Sequence, residues 1–145
     1  MHFEPYAVLI SIFPIYSNQI FKGTKLVEFR KKTFSAHIKK IIVYSTHPIA
    51  KIEGYWDYDS VDSDSPTKIW KKYSKVGGIE KKKFDAYFAN ANIANAIKVK
   101  NPTRFKTPLA VSEINKKPPQ SYVYLTEKEF NEILKKSAGN DNGCS

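Results

Sequence analysis

The segment Gly23-Thr24-Lys25-Leu26-Val27-Glu28-Phe29-Arg30 sets a carboxylate between two cations on a short stretch that alternates as a strand does. Successive strand side chains point to opposite faces, so Val27 and Phe29 face the core while Glu28 and Arg30 share the other side. Lys25 converges with them where the strand begins. A carboxylate flanked by cations stays ionised and oriented. Arg30 adds a planar fork able to grip a phosphate or a base edge. A solvated strand face with a weak Glu28–Arg30 ion pair fits the same residues.

A second group is Lys117-Pro118-Pro119-Gln120-Ser121-Tyr122-Val123-Tyr124. Two prolines stiffen the loop, Gln120 and Ser121 carry an amide and a hydroxyl, and Tyr122 or Tyr124 offers a stacking ring. A plain connector is the alternative. Lysines cluster at 31–32, 39–40, 71–72, 81–83 and 116–117. Lys98 and Lys100, with Arg104 and Lys106 across an Asn101-Pro102 turn, would form a cross-strand basic stripe; like charges set opposite one another cost stability, so a stripe suggests a track for a polyanion. Asp57, Asp59, Asp62 and Asp64 form one acidic concentration, read as a solvated loop, because the spacing misses a calcium-loop pattern. His2, His37 and His47 show no paired ligand spacing. Neither a metal nor a cofactor is expected.

The elements that must position these groups follow from pattern. Val8–Ile12 is a buried strand ended by Pro14, and residues 15–22 form a helix that Gly23 caps in the left-handed region. Lys40–Thr46 is the strongest strand, ended by His47-Pro48, with an antiparallel partner over Ala50–Tyr58. Ser65-Pro66 starts a helix running to Tyr73, and Glu80–Phe88 carries Phe84, Tyr87 and Phe88 on one face. Strands over 96–100 and 103–109 precede the Pro-Pro loop and the strand 122–125. Thr126-x-x-Glu129 is a capping box opening a last helix that buries Phe130, Ile133 and Leu134. Six or so strands with helices inserted between them predict an α+β fold around a small mixed or antiparallel barrel.

The chain has 145 residues, 24 Lys+Arg against 14 Asp+Glu, a net charge of +10, and one cysteine, Cys144. That length suits a single domain, expected over 1–137 with a flexible tail at 138–145. A lone cysteine excludes a disulfide framework and points to a reducing compartment. No apolar run approaches the length of a membrane span, and the first residues lack the basic start of a secretory signal, so a cytoplasmic, non-membrane protein is expected. The basic surplus favours a polyanion, a phosphate backbone above all.

The strand ending Ser11-Ile12-Phe13-Pro14, the helix Tyr16–Phe21, Gly23-x-Lys25-x-x-Glu28-x-Arg30-Lys31, the strand Ile41–Pro48, Gly54, and Pro118-Pro119-Gln120-Ser121-Tyr122-x-Tyr124-Leu125 together resemble the ASCH domain family. The resemblance spans about Val8 to Leu125. It implies a PUA-like small β-barrel with peripheral helices and a cleft lined by the Lys, Glu and Arg of the motif. Family members are proposed to bind RNA or to regulate transcription or translation; some hydrolyse N4-acetylcytidine nucleosides, and others are described as ribonucleases. Lys25 falls on the catalytic Lys of the amidohydrolases, whereas their essential Thr falls on Glu28 and no downstream Glu matches.

Three functions stay open on this reading. The first is a nucleic-acid binder, for RNA before DNA, using Lys25, Glu28, Arg30, Lys31, Gln120, Ser121, Tyr122, Lys98, Lys100 and Arg104, with a monomer as the default state. The second is a metal-independent hydrolase of RNA or a modified nucleoside, with Lys25 and Glu28 as its catalytic pair. The third is an adaptor presenting Tyr55, Trp56 and Tyr58.

Overall fold

The computed structural model describes residues 4–34 and 37–139; His2, Cys144 and the expected tail from residue 140 onward lie outside the described residues. Strand β1 (Ala7–Ile12) lies inside the larger sheet, parallel to β3 (Lys40–Ser45) and antiparallel to the edge strand β8 (Tyr122–Leu125). Beyond β3 come β4 (Lys51–Asp57) and β7 (Lys100–Leu109), giving the order β7-β4-β3-β1-β8. A second sheet orders β2 (Val27–Arg30), β6 (Ala94–Lys98) and β5 (Val61–Asp64) as β2-β6-β5. Being interior to its sheet, β1 is covered on both faces, which is why its sequence is an almost unbroken apolar run.

Period-two alternation divides the β1 side chains between two cores. Ala7 and Leu9 join Ile42 and Ile52 under helix α4 (Glu127–Ser137), which contributes Phe130 and Ile133. Val8, Ile10 and Ile12 join Val43, Trp56 and Ile20 of helix α1 (Pro14–Lys22), with Ile97 of β6 closing this layer from the second sheet. The second sheet turns Val27, Phe29, Ala94 and Ala96 the other way, onto helices α2 (Pro66–Tyr73) and α3 (Lys81–Tyr87). Each fully buried Leu, Ile or Phe in these layers contributes about 1.5–3 kcal/mol. Local signals set the helix ends. Gly23 adopts φ +86°, a region costly for any residue with a Cβ. Thr126 accepts from the Glu129 amide at 3.1 Å while Glu129 accepts from the Thr126 amide at 2.9 Å, completing the expected box on α4.

Two expectations are corrected. Strands 96–100 and 103–109 do not pair with each other: β6 belongs to the smaller sheet and β7 to the larger, where it pairs with β4. Asn101, at φ +52°, and Pro102 lie inside β7 rather than in a hairpin turn. The stripe of Lys98, Lys100 and Arg104 is therefore not assembled. The acidic segment is not a solvated loop either. Asp57 ends β4 and pairs with Lys40 at 2.6 Å, and Asp62 sits in β5, accepting from Tyr73 Oη at 2.6 Å. The mixed α+β fold is as expected, its strands forming two sheets, with no closed barrel detected among the described residues. No helix among the described residues is long and apolar enough to cross a membrane.

Candidate functional site

Strand β2 is an edge strand, and its free side looks across to the start of α1 in the gap between the two sheets. Glu28 is the hub there. Its Oε2 accepts from Arg30 Nε at 2.9 Å, and its Oε1 lies 3.6 Å from Lys25 Nζ. Arg30 donates from Nη2 to the Ser11 carbonyl at 2.7 Å, tying the second sheet to β1 of the first, and from Nη1 to Ser121 Oγ at 3.4 Å. Lys25 is 2% exposed and donates to the Gly77 carbonyl, with the Tyr16 and Phe29 rings 5.3 and 5.2 Å from its ammonium. Gly77 has to be glycine for this contact, since a Cβ there would run into the Phe29 ring. Burial pushes the Lys25 pKa below its ordinary value; Glu28 opposes the shift and Arg30 adds to it.

These groups line a cavity of about 390 Å³. Phe29, Phe84 and Phe88 form an apolar wall, Tyr16 and Thr46 extend the lining, and Lys83 and Gln120 stand with them. Phe13, 64% exposed, and Tyr87, 40% exposed, bring two solvent-facing rings to the opening. The Pro-Pro loop is fastened in place by Ser11, whose hydroxyl donates to the Pro119 carbonyl at 2.6 Å and whose amide donates to the Ser121 carbonyl at 2.9 Å. Behind the cavity, Ser17 and Ser45 hydroxyls meet at 2.7 Å, and Ser45 donates to Glu53 at 2.6 Å, locking α1 to β3 and β4.

A scan of protein-family models finds no match. The chain is 34% identical over 120 residues to large ribosomal subunit protein uL22 of Ureaplasma parvum; that stretch is 81% of this chain and 39% of the relative's length. It is 23% identical over 132 residues to an ASCH domain-containing ribonuclease of Zymomonas mobilis, covering 87% of this chain and 88% of that protein. The crystal structure of ASCH from Zymomonas mobilis shares the fold at a TM-score of 0.83 and 21% identity, over 91% of this chain and 96% of that one. The chain has the fold of ASCH domain proteins and is similar to one of them in sequence.

Within this ASCH-like fold the sequence-expected residues divide sharply. Lys25, Glu28, Arg30 and Gln120 line the cavity together, and Ser121 touches it through Arg30. Lys31 sits beside it, its ammonium 4.8 Å from the centre of the Tyr87 ring. Tyr122 is not at the site. It pairs across from Ile10 and packs edge-on against Phe34 at 4.8 Å, its phenol pKa raised by burial and by Tyr124. Lys98 lies over Tyr73 at 5.4 Å, Lys100 stands 3.9 Å from Asp59, and Arg104 reaches Glu53 at 3.5 Å and covers Phe21. These three cations are thus engaged at separate places on the fold. The adaptor aromatics belong to the interior: Trp56 is fully buried, Tyr55 packs on Phe105 and Phe130, and Tyr58 packs on Phe34.

Sequence reasoning missed Phe13, Tyr16, Thr46, Lys83 and Tyr87 as cavity residues. Tyr87 carried a signal, because it follows Phe84 by three positions and so flanks the buried stripe of α3 that Phe84 and Phe88 define. The others are brought in by tertiary packing alone. Among the described residues no group of three or more His, Cys, Asp or Glu side chains gathers as a metal site would.

Proposed function

We propose that this ASCH-like domain binds nucleic acid, RNA in preference to DNA, and seats one nucleobase in the cavity between its sheets. The observation that carries the reading is a cavity with a Lys25–Glu28–Arg30 floor and exposed Phe13 and Tyr87 rings at its opening. Its volume of about 390 Å³ lies at the small end of ligand sites, which suits one base rather than an extended ligand. Glu28 Oε1 stands beyond hydrogen-bond distance of Lys25 and is placed to accept from an exocyclic amine. The Arg30 Nη1, whose bond to Ser121 is long, is placed for a phosphate or base edge. Stacking on an aromatic ring is worth about 1–3 kcal/mol per base without regard to sequence. The net charge of +10 supplies long-range attraction. A role in regulating transcription or translation, and a view of the two sheets as an opened PUA-like barrel, belong to the same proposal and rest on the resemblance; a cytoplasmic location rests on the lone cysteine, and a monomer is the default state.

Fluorescence titration with single-stranded RNA at rising salt tests the reading. Arg30→Ala is expected to weaken binding at least tenfold. Phe13→Ala, at a ring packed only in part, should weaken it while leaving the fold intact. Absence of binding at low salt, or indifference to both substitutions, would refute it.

A second reading is favoured by the buried Lys25 amine beside a carboxylate, its pKa held low, together with the ribonuclease among the relatives. Here the 2′-oxygen of a bound ribose attacks the adjacent phosphorus, its proton passes to the Glu28 carboxylate, and the P–O5′ bond breaks as the Lys25 ammonium protonates the leaving oxygen. Arg30 offsets the charge gathering on the phosphoryl oxygens. Labelled RNA and acetylated cytidine, incubated with wild type and Lys25→Ala, separate the readings: turnover lost in the variant establishes the hydrolase, and no turnover at excess protein leaves binding alone.

A further inference from the structure

Half of the chain's surplus charge resides on two neighbouring helices. Between Pro66 and Tyr87 stand Lys68, Lys71, Lys72, Lys75, Lys81, Lys82 and Lys83 against Glu80 and Asp85, seven cations less two anions, or +5 of the total +10. The two helices form one surface, since Trp70 of α2 packs on Phe84 of α3 with ring centres 4.9 Å apart. Their inner faces wall the second core and, through Phe84 and Phe88, the cavity itself. The lysines are all exposed, and Lys83 also reaches the cavity lining.

Lys71 and Lys72 suit the C-terminal turn of α2, but the rest of this charge arrangement works against the helices that carry it. Lys68 sits three and four residues before Lys71 and Lys72, and like charges at those spacings destabilise a helix. Lys81, Lys82 and Lys83 fill the first turn of α3, where the helix dipole disfavours cations and which holds no acidic residue beyond the N-cap Glu80. Only part of the charge is neutralised internally: Lys72 pairs with Asp62 at 3.1 Å and Lys81 with Asp85 at 2.7 Å, while Lys82 and Lys83 have no ion pair among the described residues. A local rule broken without internal compensation is the mark of a surface kept for a partner.

We infer that the α2–α3 surface, entered at the cavity opening through Lys83 and Lys31, is the track that holds the phosphate backbone of single-stranded RNA. The inference rests on the base-binding reading of the cavity and assigns the strand a path. Lys83 lines the cavity and Lys31 lies over the Tyr87 ring, so a strand with one base inside meets two cations as it leaves across an aromatic ring. The sequence-expected stripe on β6 and β7 does not compete for this role, because its members are spread over two sheets and paired elsewhere.

The test compares two charge-matched double variants, Lys31→Ala/Lys83→Ala and Lys128→Ala/Lys135→Ala, the latter pair being exposed on α4 across the larger sheet. Each is titrated with a twelve-nucleotide single-stranded RNA between 50 and 300 mM salt. The first pair should lose at least tenfold in affinity, and the slope of log affinity against log salt should flatten by about 1.4, or 0.7 per phosphate contact given up; the second pair should stay within about twofold of wild type. Equal losses in both pairs, with wild type still binding, would overturn the track while sparing the cavity reading. A wild type that ignores the oligonucleotide, even if it captures phosphatidylserine vesicles, would overturn both.

Discussion

Tyr73 fastens α2 to the smaller sheet and so holds the lysine-bearing surface against the cavity wall. Its hydroxyl donates to Asp62 Oδ2 at 2.6 Å, and the phenol pKa is pushed up to about 12, first by burial and then by that carboxylate. The protonated phenol is the form the fold favours, so in alkali the unfolded chain loses this proton first, near pH 10. Stability from the group is thus complete below pH 10 and is lost as pH rises from about 10 to about 12. Two pH units correspond to a ceiling of about 2.7 kcal/mol. The Asp62 side chain is 27% exposed and also pairs with Lys72, which screens the interaction and brings the expected loss in Tyr73→Phe to about 1–2 kcal/mol at neutral pH, or roughly 3–8 °C in Tm. Urea unfolding of wild type and Tyr73→Phe at pH 8 and pH 11.5 checks it. The gap between the two should narrow at the higher pH, the other tyrosines cancelling in the comparison. A gap that is absent at pH 8, or that does not change with pH, would refute the claim that this hydrogen bond secures α2.

Glu28→Gln removes the shared partner of two buried cations and should cost about 3–5 kcal/mol at pH 7. Lys25 then loses the attraction opposing its burial, so its pKa falls further and the variant regains stability as pH rises toward 10, which urea midpoints at pH 7 and 9.5 would reveal. Gly23→Ala forces φ +86° on a residue with a Cβ; although nothing crowds that Cβ, the conformation alone should cost about 1–2 kcal/mol in thermal or urea unfolding, with Asn tolerated better. Thr126→Ala breaks the capping box of α4 and should cost about 1 kcal/mol in the same assay while leaving RNA affinity unchanged, since α4 lies across the larger sheet from the cavity.

The parts of the fold legible in the sequence are those whose signals are local. The apolar runs of β1 and β3, the glycine after α1 and the Thr-x-x-Glu box each state their own conformation within a few residues. Strand β5 was not legible, because Val61-Asp62-Ser63-Asp64 is an edge strand whose polar residues are satisfied by Tyr73, Lys72 and Asn95, partners distant in the chain. The separation of β6 from β7 was hidden for a related reason: sheet membership is decided by what each strand pairs with, and two strands flanking Asn-Pro read as a hairpin by default. Within the site, the alternation of Val27, Glu28, Phe29 and Arg30 was readable, but the burial of Lys25 was not. That burial is tolerable because the Gly77 carbonyl, 52 residues along the chain, accepts a hydrogen bond from its ammonium.

The triad is a poor way to stabilise a protein. Three ionised groups withdrawn from water recover their desolvation cost only through close pairing, and a well-packed apolar trio of similar volume would serve the fold as well or better. Here the pairing is close on one side only: Arg30 meets Glu28 at 2.9 Å, while Lys25 stands at 3.6 Å. The imbalance leaves one carboxylate oxygen and one guanidinium nitrogen incompletely used at the wall of a cavity. Those are complementary groups, an acceptor and a donor, held rigid by the Ser11 carbonyl behind them. Such preorganisation lowers the entropy lost when a planar ligand with both kinds of edge is bound. The lysine-rich helices supply attraction without discrimination, so whatever selectivity the domain has must be set by this small, stiff and incompletely satisfied group, and substitutions there should change which base is bound while those on the helices change only how tightly.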